Sequence, residues 1–138
     1  DGIVDIYMPD AKYGDNDSAR ILSDAPGYVQ AMQSSIREMY RQVGDLVTDE
    51  NGIALRGLLI RHLVLPGNIA RSDLVMAFIA TEISVHSYVN IMDQYRPGGR
   101  VCSPGFEARL HRPVTRREYA CAVGRAREKG LYRGFIGK

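Results

Sequence analysis

Apolar residues gather along this chain in runs of two kinds. Three runs are nearly continuous: Ile3 to Met8, ended by Pro9; Leu58 to Leu65, broken only by Arg61-His62 and ended by Pro66-Gly67; and Tyr88 to Met92. Continuous rather than alternating apolar runs predict strands of a parallel sheet covered on both faces. A fourth run, Leu131 to Ile136, predicts a weaker strand because Gly134 interrupts it.

The other runs recur at helical spacing. Tyr28, Val29, Met32, Ile36, Met39, Tyr40 and Val43 form one stripe, opened by Asp24 and Pro26 and closed by Gly44. Leu74, Val75, Phe78, Ile79 and Ile83 form a second, for which Ser72 or Asp73 is the expected cap. Thr115 and Glu118 predict a capping box for the last helix, which carries Tyr119, Ala122, Val123 and Ala126 and stops at Gly130. A shorter helix is predicted over Ser18 to Leu22. Asn51-Gly52, flanked by short apolar pairs, predicts a small hairpin insertion at about 45–56.

Strand, helix, strand, helix, strand, helix in that order calls for a parallel sheet with crossover helices, an α/β fold. A full eight-unit barrel needs roughly 250 residues. The 138 residues here suit one domain and about half of such a barrel. Asp1-Gly2 leads into the first strand with neither methionine nor cap, so a piece of a longer protein is expected. The loop from Pro97 to Pro113, rich in Gly, Pro and Arg, is expected to be mobile or to lie over the surface.

Composition narrows the function classes only a little. Hydrophobic residues make up 45% and charged ones 25%, as in ordinary globular domains, and no apolar run approaches membrane-spanning length. A net charge of +2 argues weakly for nucleic acid, so neither nucleic acid nor membrane is expected as a partner. The basic stretch from Arg109 to Lys138 reads first as a solvated helix face. Two cysteines, Cys102 and Cys121, are too few for a disulfide framework and lack zinc spacing, so a cytoplasmic setting is expected.

The informative residues are the polar ones set at the ends of apolar strands. Asp10 and Lys12 follow the first strand, two apart and therefore on one side of an extended chain. Arg61 and His62 sit inside the second strand and must point to opposite faces. Asp93, Gln94 and Tyr95 follow the third. An unpaired charge in apolar surroundings costs several kcal/mol, and parallel α/β folds bind ligands at the C-terminal strand ends. The pattern therefore predicts a site for a small polar ligand, anionic or zwitterionic. The competing expectation is a structural ion pair, Asp10 with Lys12 or Arg61 with Asp93. His62, facing the helices, is expected to be a hydrogen-bonded core residue.

The strings Asp5-Ile-Tyr-Met-Pro-Asp-Ala-Lys-Tyr13, Arg56-Gly-Leu-Leu-Ile-Arg-His-Leu-Val-Leu-Pro-Gly67 and Tyr88-Val-Asn-Ile-Met-Asp-Gln-Tyr-Arg-Pro97 resemble the radical S-adenosylmethionine (SAM) proteins of the pyruvate formate-lyase activating enzyme-like family. The likeness runs to about Arg127 and includes Arg41-Gln-Val-Gly44. It implies the C-terminal half of a partial (β/α)₆ TIM-like barrel in an oxidoreductase that holds S-adenosylmethionine and a [4Fe–4S] cluster. A glycyl radical enzyme is the implied partner. The family's Asp-x-Lys matches Asp10-Ala11-Lys12, and its strand arginine matches Arg61. Those positions contact the methionine part of the cofactor or its associated cation.

Where formate-lyase activators carry Leu-Pro-Tyr-His, this chain reads Met92-Asp93-Gln94-Tyr95; the family's cofactor histidine has no counterpart, and Met92, Gln94 and Tyr95 are the cofactor-binding residues that the resemblance implies at this strand end. The family's Cys-x₃-Cys-x₂-Cys cluster motif has no counterpart here, and Cys102 and Cys121 do not replace it. The expectation is a chain that supplies part of the cofactor pocket, is inactive alone, and self-associates through its unpaired parallel edge. The alternative is a non-catalytic α/β module that binds small anions or has a regulatory role.

Overall fold

The computed structural model describes residues 2–135. Four strands, β1 (Ile6–Tyr7), β2 (Val47–Thr48), β3 (Ala54–Leu63) and β4 (Tyr88–Met92), form one sheet around β3. Both β1 and β4 run parallel to β3, with Tyr7 opposite Leu58 and Arg61 opposite Asn90. The protein is α/β with a mostly parallel sheet. The short β2 is antiparallel to the start of β3 and forms the expected hairpin, whose second arm continues directly into β3.

Helices α1 (Asn16–Ser23), α2 (Tyr28–Val43), α3 (Ser72–Phe78) and α4 (Arg116–Glu128) occupy the connections, and a π turn at Ile79–Ile83 prolongs α3. Alternation along β3 decides where they pack. Leu58, Ile60, His62 and Val64 are buried, as are Val89 and Ile91 of β4. Met32 and Ile36 of α2, Val75 and Met76 of α3, and Ala122 and Ala126 of α4 join them in one core. All three helices therefore cover the same sheet face. Burial of an aliphatic side chain of this size is worth about 1.5–3 kcal/mol, and this face holds the larger of the two apolar cores.

The opposite face presents Leu59, Arg61 and Leu63 from β3 and Tyr88, Asn90 and Met92 from β4, all only partly buried. Among the described residues no helix covers it. The expectation of a sheet covered on both faces is corrected accordingly. Met8, 54% exposed, extends that bare surface toward the β1 edge.

Several element ends also differ from the sequence reading. The first strand shrinks from Ile3–Met8 to two paired residues, rejoined to β3 by a lone bridge between Asp10 and Arg61. Neither Ser72 nor Asp73 caps α3; that position falls to Arg71, held at φ 52°. The Thr115–Glu118 capping box forms as expected. Of the fourth run the described residues keep a bridge between Tyr88 and Arg133, and Gly134 (φ 94°) passes so close to the Val89 carbonyl oxygen that a Cβ there would lie 2.4 Å from it. Ile136 and Lys138 lie outside the described residues.

Candidate functional site

The segment Asp10-Ala11-Lys12 is fixed at the C-terminal end of the sheet from three directions. Backbone pairing supplies the first: the Arg61 amide donates to the Pro9 carbonyl and the Ala11 amide to the Arg61 carbonyl, both at 2.9 Å. Tyr28 of α2 supplies the second, its hydroxyl accepting from the Lys12 amide (2.9 Å) and donating to the Asp10 carbonyl (3.2 Å).

His62 supplies the third. Its Nδ1 lies 2.7 Å from the Ala11 carbonyl oxygen and its Nε2 lies 2.8 Å from Ser72 Oγ. A carbonyl only accepts, so Nδ1 carries the proton and Nε2 accepts from the Ser72 hydroxyl. Burial pushes the imidazole pKa below its ordinary value, opposed by the bond to Ala11, and so favours the neutral ring. His62 is thus a hydrogen-bonded core residue that ties the loop after β1 to the start of α3. It also explains why Ser72 is not a cap.

On the other face Arg61 Nε donates to Asp10 Oδ1 at 2.7 Å, and the two side chains are 37% and 36% exposed. The ion pair that forms is therefore neither of the two pairs considered from sequence. Neither Lys12 nor Arg96 has a carboxylate partner among the described residues. Arg96 instead donates to the carbonyl of Tyr95 at 3.0 Å.

These residues line one cavity of about 630 Å³ at the C-terminal strand ends, within the size range of small-molecule sites. Asp10, Lys12, Arg61, Met92, Gln94 and Tyr95, all singled out from sequence, border it. Gln94 turns its amide toward Met92, with Nε2 3.7 Å from Sδ. Asp93 is not on the cavity wall; it is exposed and acts on Tyr119 of α4, whose pKa is raised first by burial and second by that carboxylate.

Sequence reasoning missed the apolar half of the wall: Leu22 of α1, Leu63 and Leu65 at the end of β3, and Val101, Phe106 and Leu110 of the loop after β4. That loop folds into two 3₁₀ turns, Gly99–Cys102 and Ala108–His111, over the cavity. Tyr95 latches it by donating its hydroxyl to the Leu110 carbonyl at 2.9 Å, and burial raises the phenol pKa above the ordinary value.

Comparison with known proteins adds little to this geometry. No family model and no solved structure matches the chain. A curated relative, an uncharacterized protein of Methanocaldococcus jannaschii, is 30% identical over 97 residues, which is 70% of this chain and 24% of that protein. The chain spans about a quarter of that relative's length.

The basic C-terminal region, by contrast, builds no comparable site among the described residues. Arg109 pairs with Glu107, Arg112 with Glu118 and, more loosely, Arg125 with Asp73. Cys102 and Cys121 are free and exposed. Among the described residues there is no group of three or more His, Cys, Asp or Glu side chains suited to a metal ion, and no helix long and apolar enough to cross a membrane.

Proposed function

We propose that this chain forms the amino-acid end of an S-adenosylmethionine pocket, as the C-terminal part of a partial (β/α)₆ barrel in a protein resembling pyruvate formate-lyase activating enzymes. One observation carries the reading: Asp10, Lys12 and Arg61, three charged side chains from two strand ends, border a single cavity. A carboxylate suits the α-ammonium and sulfonium of the ligand, and Lys12 with the free nitrogens of Arg61 suits its α-carboxylate. Support for the barrel arc comes from the order β1, β3, β4, which follows the chain, and from the helices lying on one face only.

In that family S-adenosylmethionine supplies a 5′-deoxyadenosyl radical, and a glycyl radical enzyme is the partner that loses a hydrogen atom. The residues of this chain do not fit the [4Fe–4S] cluster: Cys102 lies in a loop and Cys121 on α4, both exposed. Thiolates from outside these 138 residues would have to hold it. The role left to this chain is to bind and orient the methionine end.

A second reading, a non-catalytic module for small anions, draws on the charge of the cavity, where Lys12, Arg61 and Arg96 face only Asp10. Titrating the isotope-labelled chain with S-adenosylmethionine separates the two. The first reading expects saturable amide shifts at Ala11, Lys12, Arg61 and Gln94 that methionine reproduces and acetate does not. Equal shifts with acetate favour the anion module, and no shift at these amides at high ligand concentration overturns the cofactor reading.

A further inference from the structure

The geometry points to a second ligand chemistry in this cavity: an acid with an apolar body, its carboxylate held by Lys12 and Arg96 and its body lying beneath the loop of residues 97–113. The inference goes beyond S-adenosylmethionine and does not require that cofactor to bind.

The loop sorts its side chains by polarity. Val101, Phe106 and Leu110 turn to the cavity, whereas Glu107 and Arg109 pair with each other and Arg112 pairs with Glu118 of α4. Val101 and Phe106 are only partly buried where they pack against the small core, so each keeps apolar surface for a ligand in the cavity that they line. Leu110 is only 3% exposed and packs with Tyr13, Leu65 and Ile69 in a small core of its own. The wall is therefore prebuilt.

The two phenol hydroxyls on that side are already engaged. The Tyr13 hydroxyl bonds Ser23 at 2.8 Å and the Tyr95 hydroxyl bonds the Leu110 carbonyl. What faces a ligand there is ring and aliphatic carbon, with little to satisfy a nucleobase edge. An aliphatic or aromatic body suits this surface better than a base does.

Charge selects the other end. Asp10 is engaged by Arg61, while Lys12 and Arg96 border the same cavity with no carboxylate against either among the described residues. A single carboxylate gives these cations a charge-assisted partner. A ligand carrying two negative charges would bring the second toward Asp10.

Calorimetric titration of the 138-residue chain with straight-chain acids from butanoate to octanoate, with octanol as the neutral control, tests this. Each buried methylene should tighten binding about fourfold until the wall is filled. Octanoate should bind one per chain, at least about tenfold tighter than octanol. Arg96→Gln should remove most of that preference while Arg96→Lys retains it, and Phe106→Ala should flatten the dependence on chain length. Circular dichroism melts confirm that each variant is folded, and the acid series on the unaltered chain stands without any variant.

Affinity independent of chain length, octanol equal to octanoate, or uptake that does not saturate overturns the proposal. S-Adenosylmethionine binding without octanoate binding overturns this inference alone. Octanoate binding without S-adenosylmethionine binding overturns only the cofactor reading.

Discussion

Removing the ion pair between Arg61 and Asp10 decides whether these charges are there for the fold or for a ligand. A fully buried pair that loses one partner costs about 3–5 kcal/mol, because the remaining charge is stranded out of water. Here each side chain keeps more than a third of its surface in solvent, 37% for Arg61 and 36% for Asp10. Water can take over from either partner, which brings the pair close to the surface case of up to about 1 kcal/mol. Asp10→Asn and Arg61→Met leave the local volume nearly unchanged. Each alone should lower stability by about 1 kcal/mol or less in urea unfolding, and the double variant should give a coupling of about 0.5–1 kcal/mol. The same substitutions should weaken S-adenosylmethionine binding tenfold or more, about 1.4 kcal/mol for each. A coupling of about 3 kcal/mol with ligand binding unchanged would make the pair a structural lock and would remove the basis of the functional reading.

Because the pKa of His62 is lowered in the folded chain, the unfolded chain binds its proton first as pH falls below about 6.5; stability is then lost at up to about 1.4 kcal/mol per pH unit, and His62→Leu should flatten that part of the pH profile measured by urea unfolding. Gly57→Ala should cost more than about 2 kcal/mol in a thermal melt, since φ is 116° and a Cβ would lie 2.3 Å from the Asp45 carbonyl oxygen, whereas Gly98→Ala, with open space around it, should be nearly neutral. The chain should self-associate through the free edge of β1, where Ile3 is 90% exposed, and light scattering that shows a monomer at high concentration would count against this.

Strand positions were readable because a helix-covered parallel sheet demands unbroken apolar runs, and the centres of β1, β3 and β4 fall inside the three expected runs. Strand ends were not readable. Ile3 and Val4 look like strand residues by composition, yet they have no ladder partner and stand in solvent. Apolarity reports what a residue could bury, and the neighbouring strand decides whether it does. The start of α3 shows the same limit from the polar side. Ser72 has the right chemistry for a cap, but His62 takes its hydroxyl, and a contact ten residues away leaves no local trace.

The polar half of the cavity was legible for a geometric reason that does not extend to the apolar half. Parallel strands bring their C-terminal ends to one side of the sheet, so Asp10, Arg61 and Gln94 had to meet once the strands were placed. As far as Gln94 alternation then sorts neighbours: Met92 and Gln94 border the cavity while Asp93, between them, does not; past the strand it lapses, and Tyr95 and Arg96 border the cavity as well. Val101, Phe106 and Leu110 follow no such rule, because a loop of Gly, Pro and 3₁₀ turns has no period from which to read a side. The same geometry bears on the bare sheet face. Leu59 and Tyr88 are half-buried with no helix over them among the described residues, while Leu63 and Met92 on the same face border the cavity. A sheet built to face water on that side would alternate apolar with polar residues. β3 does not, and apart from Arg61 its outward residues from Leu59 to Leu63 are leucine. These half-buried side chains leave apolar surface on the face that Arg61 shares with the cavity, so the sheet itself carries the apolar ground on which the charged groups stand.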